Sequence, residues 1–353
     1  MKQQAIHFVG LDVHQSTTVA SVRDESGKVV MSATVPTSEK AIVALLRSWP
    51  RVEVAFEEGT QAQWLHDILV DQVERVVVCT LRGKGALANK DDRIDADHLS
   101  EQLRLGGLKA VFHGAPEMLT LKELVRSYNN LVEDSTRVML RIKAIFRARA
   151  IATAGVSVYR PSQRKQWLAK LAGGARVRAE LLLRELDTLL ELRPKAKAAM
   201  IVAARRQPGW KVLSTIPFFG PVRVAQLLAI IRTPFRFRTK RNLWPYAGLA
   251  VVRHSSADRQ FRSGKLQRSS KAPMTRGLNR NHNPLLKAVL KGAANAAASA
   301  PGPLGEYYQA SIGRGVDKEL AKVTLARKIA AVALRLWKKG ELFDPKKLTM
   351  QAT

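Results

Sequence analysis

The chain has a single cysteine, Cys79, in 353 residues. No disulfide can form within it, which suits a reducing compartment, and Cys79 closes the apolar run Val76-Val77-Val78-Cys79 as a small buried thiol. Aromatic residues make up only 6%, too few for stacking to be the main mode of nucleic-acid contact, so backbone and shape contacts are expected to dominate. No apolar run reaches the roughly 18 residues that a membrane-spanning helix needs. The opening Met1-Lys2-Gln3-Gln4-Ala5 lacks the apolar core of a signal peptide, so the expectation is a cytoplasmic protein with no membrane partner. Acidic residues are also scarce, 29 Asp and Glu against 59 Lys and Arg, for a formal net charge of +30.

The positive charge is uneven. Residues 1–100 carry 11 Lys and Arg against 14 Asp and Glu, whereas residues 151–353 carry 39 against 10. Such asymmetry is the footprint of a polyanion-binding region, because each Lys or Arg near a phosphate releases condensed counterions. A basic structural protein of the ribosomal or chromatin type is the alternative on composition alone. With 46% hydrophobic residues the chain has enough apolar surface for two or three packed domains, and disorder is not the default.

Three β-prone runs, residues 6–13, 17–23 and 28–35, are separated by turn-like segments and read as an antiparallel meander. Ser38 then caps an amphipathic stretch, 41–49, that stops at Pro50. A strand at 52–56, a helix at 62–73 and a strand at 75–80 follow, and the order β-β-β-α-β-α-β is that of an RNase H-like domain. From Leu121 the residues Leu121, Leu124, Tyr128, Leu131, Ser135, Val138, Ile142 and Ile145 trace a heptad seam. A second leucine-rich helix is expected from Arg176 to Leu192, ending before Pro194; the two helices pair as a coiled coil, in one chain or across a dimer. Beyond Trp210, Ile216-Pro217-Phe218-Phe219-Gly220 leads into a helix at 222–231, in the manner of a helix-hairpin-helix turn. Trp244, Tyr246 and Phe261 read as core. The expected architecture is therefore an α/β RNase H-like (RuvC-like) domain over 1–112, a helical coiled-coil region over 113–207 and a basic, mainly α domain over 208–353.

Against this charge, four carboxylates stand out. Asp12 ends the first strand and Glu57 the fourth, strands that neighbour each other in an RNase H-like sheet. Asp92 and Asp95 share one face at the start of a helix. Taken singly, each has a plainer reading as a capping, turn or solvated residue. Together they repel unless divalent cations neutralise them, and an oxygen-only set points to Mg²⁺ or Mn²⁺ rather than Zn²⁺. Glu58 is the rival to Glu57, and Asp91 falls off the shared face.

These motifs resemble those of insertion-sequence transposases with an Asp-Glu-Asp-Asp, RuvC-like amino-terminal domain, related to Piv-type DNA invertases and to bridge-RNA-guided recombinases. The resemblance rests on Gly10-Leu11-Asp12, on Phe56-Glu57 and on Asn89-Lys90-Asp91-Asp92-Arg93-Ile94-Asp95-Ala96. In the second half it rests on Leu213-Ser214-Thr215-Ile216-Pro217-Phe218-Phe219-Gly220 and Tyr246-Ala247-Gly248-Leu249. It implies catalytic and metal-binding roles for Asp12, Glu57, Asp92 and Asp95. It also implies a nucleophilic serine, placed at Ser256 by spacing with Ser255 as the rival, because the glycine that follows the family's serine is replaced here by Ala257. Arg253, Arg259, Arg262, Arg268 and Lys271 supply a cationic surround, and Arg276 and Arg280 are further phosphate binders. The resemblance further implies donor and target DNA, a structured guide RNA and a homodimer or homotetramer.

A two-metal junction endonuclease without serine chemistry, and a non-catalytic nucleic-acid scaffold, are the competing functions. In all three, affinity for DNA is expected to fall steeply with salt, roughly a thousandfold between about 50 and 200 mM. A binding titration repeated across that range checks this; a flat response contradicts the basic-surface reading.

Overall fold

The structure is a computed structural model that describes residues 5–80, 92–111, 116–254, 259–262, 265–268 and 274–349. Asp91, Ser255, Ser256 and Lys271 lie outside the described residues. The chain divides into two compact units, Met1–His113 and Gly114–Thr353.

In the first unit, β1 (His7–Val13), β2 (Thr17–Arg23) and β3 (Val29–Pro36) form the expected meander. Then come α1 (Glu39–Leu46), β4 (Val52–Glu57), α2 (Ala62–Leu69), β5 (Arg75–Cys79) and α3 (Asp92–Arg104). The sheet is mixed, in the order β3-β2-β1-β4-β5, with β1 antiparallel to β2 and parallel to β4. Ser38 caps α1 as its position predicts, its Oγ accepting from the Ala41 N–H at 3.3 Å. Both α1 and α2 end a few residues earlier than the apolar pattern suggests; after α2, the Gln72 and Val73 N–H groups both turn back to the Leu69 carbonyl.

Side chains alternate across the pleat. Val9, Leu11, Val54 and Phe56 face a core shared with Ile42, Leu65 and Leu69, on the side of α1 and α2. Phe8, Ala55, Val77 and Cys79 face Leu99 and Leu103 of α3 on the other side. Asp12 and Glu57 continue the α3 side, at the carboxyl ends of the adjacent parallel strands β1 and β4.

The close seating of α3 depends on Gly10. A methyl group there would overlap the Ala96 carbonyl oxygen and come within 2.6 Å of the Ser100 nitrogen, both backbone atoms. The contact is reinforced by a partly buried polar clamp. Arg23 donates to Asp97 Oδ2 at 2.6 Å and to Ser100 Oγ at 3.1 Å, and Ser21 donates to Asp97 Oδ1 at 3.0 Å.

The second unit opens with α4 (Pro116–Arg147), followed by the short α5 (Arg164–Leu168) and by α6 (Gly173–Arg205). α4 and α6 pack antiparallel. Val138, Ile142 and Ile145 meet Ala179, Leu183 and Leu186 at one end, while Leu121 and Val125 share a core with Met200 and Ala204 at the other. The heptad seam is therefore satisfied within one chain. Its polar member, Ser135, is buried and donates its hydroxyl to the Leu131 carbonyl. The expected stop before Pro194 is corrected: α6 runs through Pro194 to Arg205. The proline removes one helical hydrogen bond, but apolar contacts with α4 on both sides of it outweigh that local loss.

Next are α7 (Trp210–Leu213), α8 (Pro221–Ile231) and α9 (Lys240–Tyr246). Four short strands that apolar patterning did not reveal follow: β6 (Val251–His254), β7 (Arg259–Arg262), β8 (Lys265–Arg268) and β9 (Met274–Leu278). They make two separate ladders, β6 with β9 and β7 with β8. The chain continues through α10 (Pro284–Ala298), α11 (Pro303–Gly313), α12 (Lys318–Lys339) and α13 (Lys346–Thr349). α8, α10 and α12 share a core with the ends of α4 and α6. Trp244 and Tyr246 pack against it half-buried, as expected for core residues. Among the described residues, no helix is long and apolar enough to cross a membrane.

Gly10→Ala is expected to lower the stability of the first unit by about 3 kcal/mol, at the upper end of overpacking, because backbone atoms must move. Denaturant titration followed by circular dichroism reads this; an unchanged midpoint would show that α3 is not held in close contact at Gly10.

Candidate active site

Asp12 sits where β1 stops pairing with β4, and Asp92 is the first residue of α3, where a helix N-terminus favours negative charge. Between them stands His14, two residues beyond Asp12. Its Nε2 lies 3.3 Å from Asp12 Oδ2 and 3.3 Å from Asp92 Oδ2. Among the described residues, Asp12, His14 and Asp92 are the group whose ligand atoms all fall within 4.8 Å of one another. Glu57 and Asp95 are not in that group.

Burial is the main influence on Asp12, and it raises the carboxyl above its ordinary value. His14 opposes this, while the negative charges of Asp92 and Asp95 push it further up. Asp95, one helical turn into α3, is thus close enough to act on Asp12 electrostatically. Asp12 side-chain exposure is 22%, against 58% for Asp92, so the group opens to solvent on the α3 side. Asp97 accepts from Ser21 and Arg23 and holds the helix that bears Asp92 and Asp95. His14 was missed by sequence reasoning. Its signal was position alone, in a tight turn closed by the His14 N–H donating to the Thr17 carbonyl at 2.9 Å.

In the second unit, the segment Tyr246-Ala247-Gly248-Leu249 is fixed by local geometry. Gly248 has φ +66°, and a Cβ there would sit 2.5 Å from the His282 ring. Asn279 accepts from the Asn281 N–H and donates to the carbonyls of Pro245 and Asn281, while Asn283 caps α10 by accepting from the Leu286 N–H. Arg280 lies exposed on this turn. Arg253 and Arg276 belong to the β6–β9 ladder. In the β7–β8 hairpin, Arg259 is paired with Arg268 and Arg262 with Lys265. The side chains of Arg253, Arg259, Arg262, Arg268 and Arg276 are outside the described ones, so only their register is stated.

A family model for the DEDD domain of IS110 elements, described as a transposase, matches residues 9–149. A second, described as a transposase of the IS116/IS110/IS902 family, matches residues 210–309. Both models are of IS110-type transposases, and the chain carries the transposase domains that they describe. The two matches together span about two thirds of it; the first runs from the first unit through α4 of the second, and the second lies within the second unit. No curated protein matches the chain. The transposase is thus an enzyme acting on DNA, and its acidic group fits a divalent cation. The donors that converge are hard carboxylate oxygens with one imidazole, a set suited to such an ion.

The Asp12 shift carries a sign that can be measured. Its folded value lies above the ordinary 3.8, so the folded state binds more protons in the interval above 3.8. Stability therefore falls as pH rises through that interval, and the penalty is fully present at neutral pH. Asp12→Asn is expected to raise the thermal midpoint of metal-free transposase at neutral pH, with the gap closing as pH falls toward 3.8. Midpoints measured against pH for both proteins test this, and a lower neutral midpoint for Asp12→Asn contradicts it.

Proposed function

We propose that the transposase cuts and rejoins DNA with a carboxylate set in the first unit and a serine nucleophile in the second. The observation that carries the reading is the approach of Asp12 and Asp92 to a common point beside His14, on the face of the sheet that Glu57 shares. In this reading residues 1–112 are a RuvC-like domain of the RNase H fold, and the strand order β3-β2-β1-β4-β5 is compatible with it. Residues 113–207 form a helical arm, and residues 208–353 form the basic domain that bears the serine.

Asp12, Glu57, Asp92 and Asp95 would hold Mg²⁺ or Mn²⁺. Strand alternation favours Glu57 over Glu58, since Glu57 falls on the side of Ala55 and α3. When bound, such cations polarise a phosphodiester and stabilise the oxygens that attack and leave. The carboxylates orient the DNA backbone by holding that positive charge at the carboxyl ends of β1 and β4, and α3 keeps Asp92 and Asp95 in place through Arg23 and Asp97.

Ser256 is assigned the covalent step, with Ser255 its alternate. Its Oγ attacks phosphorus and loses its proton, an Oγ–P bond forms, and the bond from phosphorus to the 3′-oxygen breaks. The 5′-phosphate is left on the serine, and the departing 3′-oxygen takes up a proton as a hydroxyl. The following strand transfer reverses these bonds with a new 3′-hydroxyl. The cross-strand register opposes Arg259 to Arg268 and, on the other face of the ribbon, Arg262 to Lys265; these like-charge pairs support phosphate binding by the ribbon, because directly opposed like charges are destabilising without an anion. Arg253, Lys271, Arg276 and Arg280 complete the surround. The family resemblance adds selection of DNA by a structured guide RNA, a homodimer or homotetramer as the working assembly, and kinship with Piv invertases.

The test pairs Asp92→Asn with Ser256→Ala on a labelled DNA junction in Mg²⁺. Asp92→Asn is expected to bind DNA and lose cleavage at least a hundredfold, on the order of the loss of one catalytic electrostatic group. Ser256→Ala is expected to bind DNA but yield no covalent protein–DNA adduct and no strand transfer. Strand transfer by Ser256→Ala would overturn the serine assignment; if that variant still yields an adduct, mass spectrometry will show whether Ser255 carries it.

A further inference from the structure

The second unit holds a groove of about 950 Å³ between the end of α6, the turn after α8 and the end of α12. This volume is at the upper end of the range for small-ligand sites. Its apolar walls are edged by Arg206, Arg232, Lys338 and Lys339, and no carboxylate is among its described lining residues. Lys338 donates to the carbonyls of Phe237 and Arg238 at 2.6 and 3.0 Å, and Lys339 lies 3.6 Å from Glu341. Arg206 is exposed at the end of α6, and Arg232 stands on the turn after α8.

That turn is strained. Arg232 has φ 66° and ψ −53°, and the Thr233 N–H donates back to the Ile231 carbonyl at 2.8 Å. This is a γ-turn of the rare hand, a conformation that L side chains avoid and that concentrates at ligand-holding sites. Its consequence is to project the next turn outward. Phe235 is 72% exposed there, far more than the other aromatic rings exposed among the described residues. The projection is rigid, because the Thr233 hydroxyl accepts from the Phe235 N–H and Arg236 donates to the Ile230 carbonyl at 3.1 Å while lying over the Tyr246 ring. Across the groove is Trp337, whose indole packs on the bare backbone of Gly209.

An apolar slot with one largely exposed aromatic ring, a second at its wall and a rim that is mostly cationic fits an unpaired nucleotide: a flat base and a phosphate. A duplex keeps its bases stacked and has no use for an exposed ring. We propose that this groove binds a short single-stranded stretch of the DNA substrate, with a base stacked on Phe235 and the adjoining phosphates facing Arg206 and Arg232. The strain at Arg232 is retained because it sets both the guanidinium and the ring.

Fluorescence anisotropy of the full-length transposase tests this, using a fluorescein-labelled single-stranded oligodeoxythymidylate, a duplex of equal length and an oligouridylate. Phe235→Ala is expected to weaken oligodeoxythymidylate binding roughly tenfold, within the range for loss of one stacked base, to leave duplex binding unchanged, and to be rescued by Phe235→Trp. Arg232→Gly, which relieves the positive φ, is expected to raise or preserve the thermal midpoint while weakening single-strand binding and flattening its salt dependence. Equal loss on duplex and single strand, or no loss on either, overturns the proposal. Tighter binding of oligouridylate with the same dependence on Phe235 assigns the groove to RNA and overturns its assignment to DNA. A change in oligomeric mass for Phe235→Ala, with single-strand affinity intact, assigns the groove to a second copy of the chain.

Discussion

The fold of the first unit turns on one close approach, the backbone of β1 against the backbone of α3 at Gly10. A strand and a helix pack this tightly only where a side chain is missing, and the result is to bring the end of β1 beside the start of α3. Asp12 belongs to the first and Asp92 to the second, so the meeting of two carboxylates follows from a steric fact one turn of helix away. The Arg23, Asp97 and Ser100 clamp then stops α3 from sliding. Burial raises the Asp12 carboxyl first, and the negative charges of Asp92 and Asp95 add to it.

That concentration is the more telling for the chain around it. A protein with 59 basic and 29 acidic residues meets a polyanion readily, and the excess lies in the second unit. The first unit is nearly balanced and brings the carboxylates of Asp12 and Asp92 together at the strand ends. The division of labour between the units is therefore one of sign: one attracts phosphate broadly, the other presents carboxylate oxygens for a cation that can itself meet phosphate. The first transposase match covers the carboxylates and continues through α4, and the second lies in the basic unit.

Much of this was legible in the residues. Alternation over 7–13 and 52–57 set which side chains share a face, and the i, i+3 spacing of Asp92 and Asp95 set their common side of a helix. The capping role of Ser38 was equally plain, because cap chemistry is a local signal. What escaped was non-local. His14 carries no motif and gains its meaning only when α3 brings Asp92 to it. Pro194 read as a stop, since the apolar contacts that carry α6 through it come from α4. The strands β6–β9 are four or five residues long and rich in Arg and Lys, so they show neither length nor apolar alternation. Ser255 and Ser256, outside the described residues, remain a sequence assignment.

The account rests on the carboxylates of the first unit forming a site for a divalent cation. The most direct measurement is anomalous diffraction at the manganese edge from crystals of the transposase grown with Mn²⁺. The account predicts a peak within coordination distance of Asp12 and Asp92, on the side where Glu57 and Asp95 also reach. A map with no peak at the ends of β1 and β4, or with the metal held elsewhere on the chain, would contradict it.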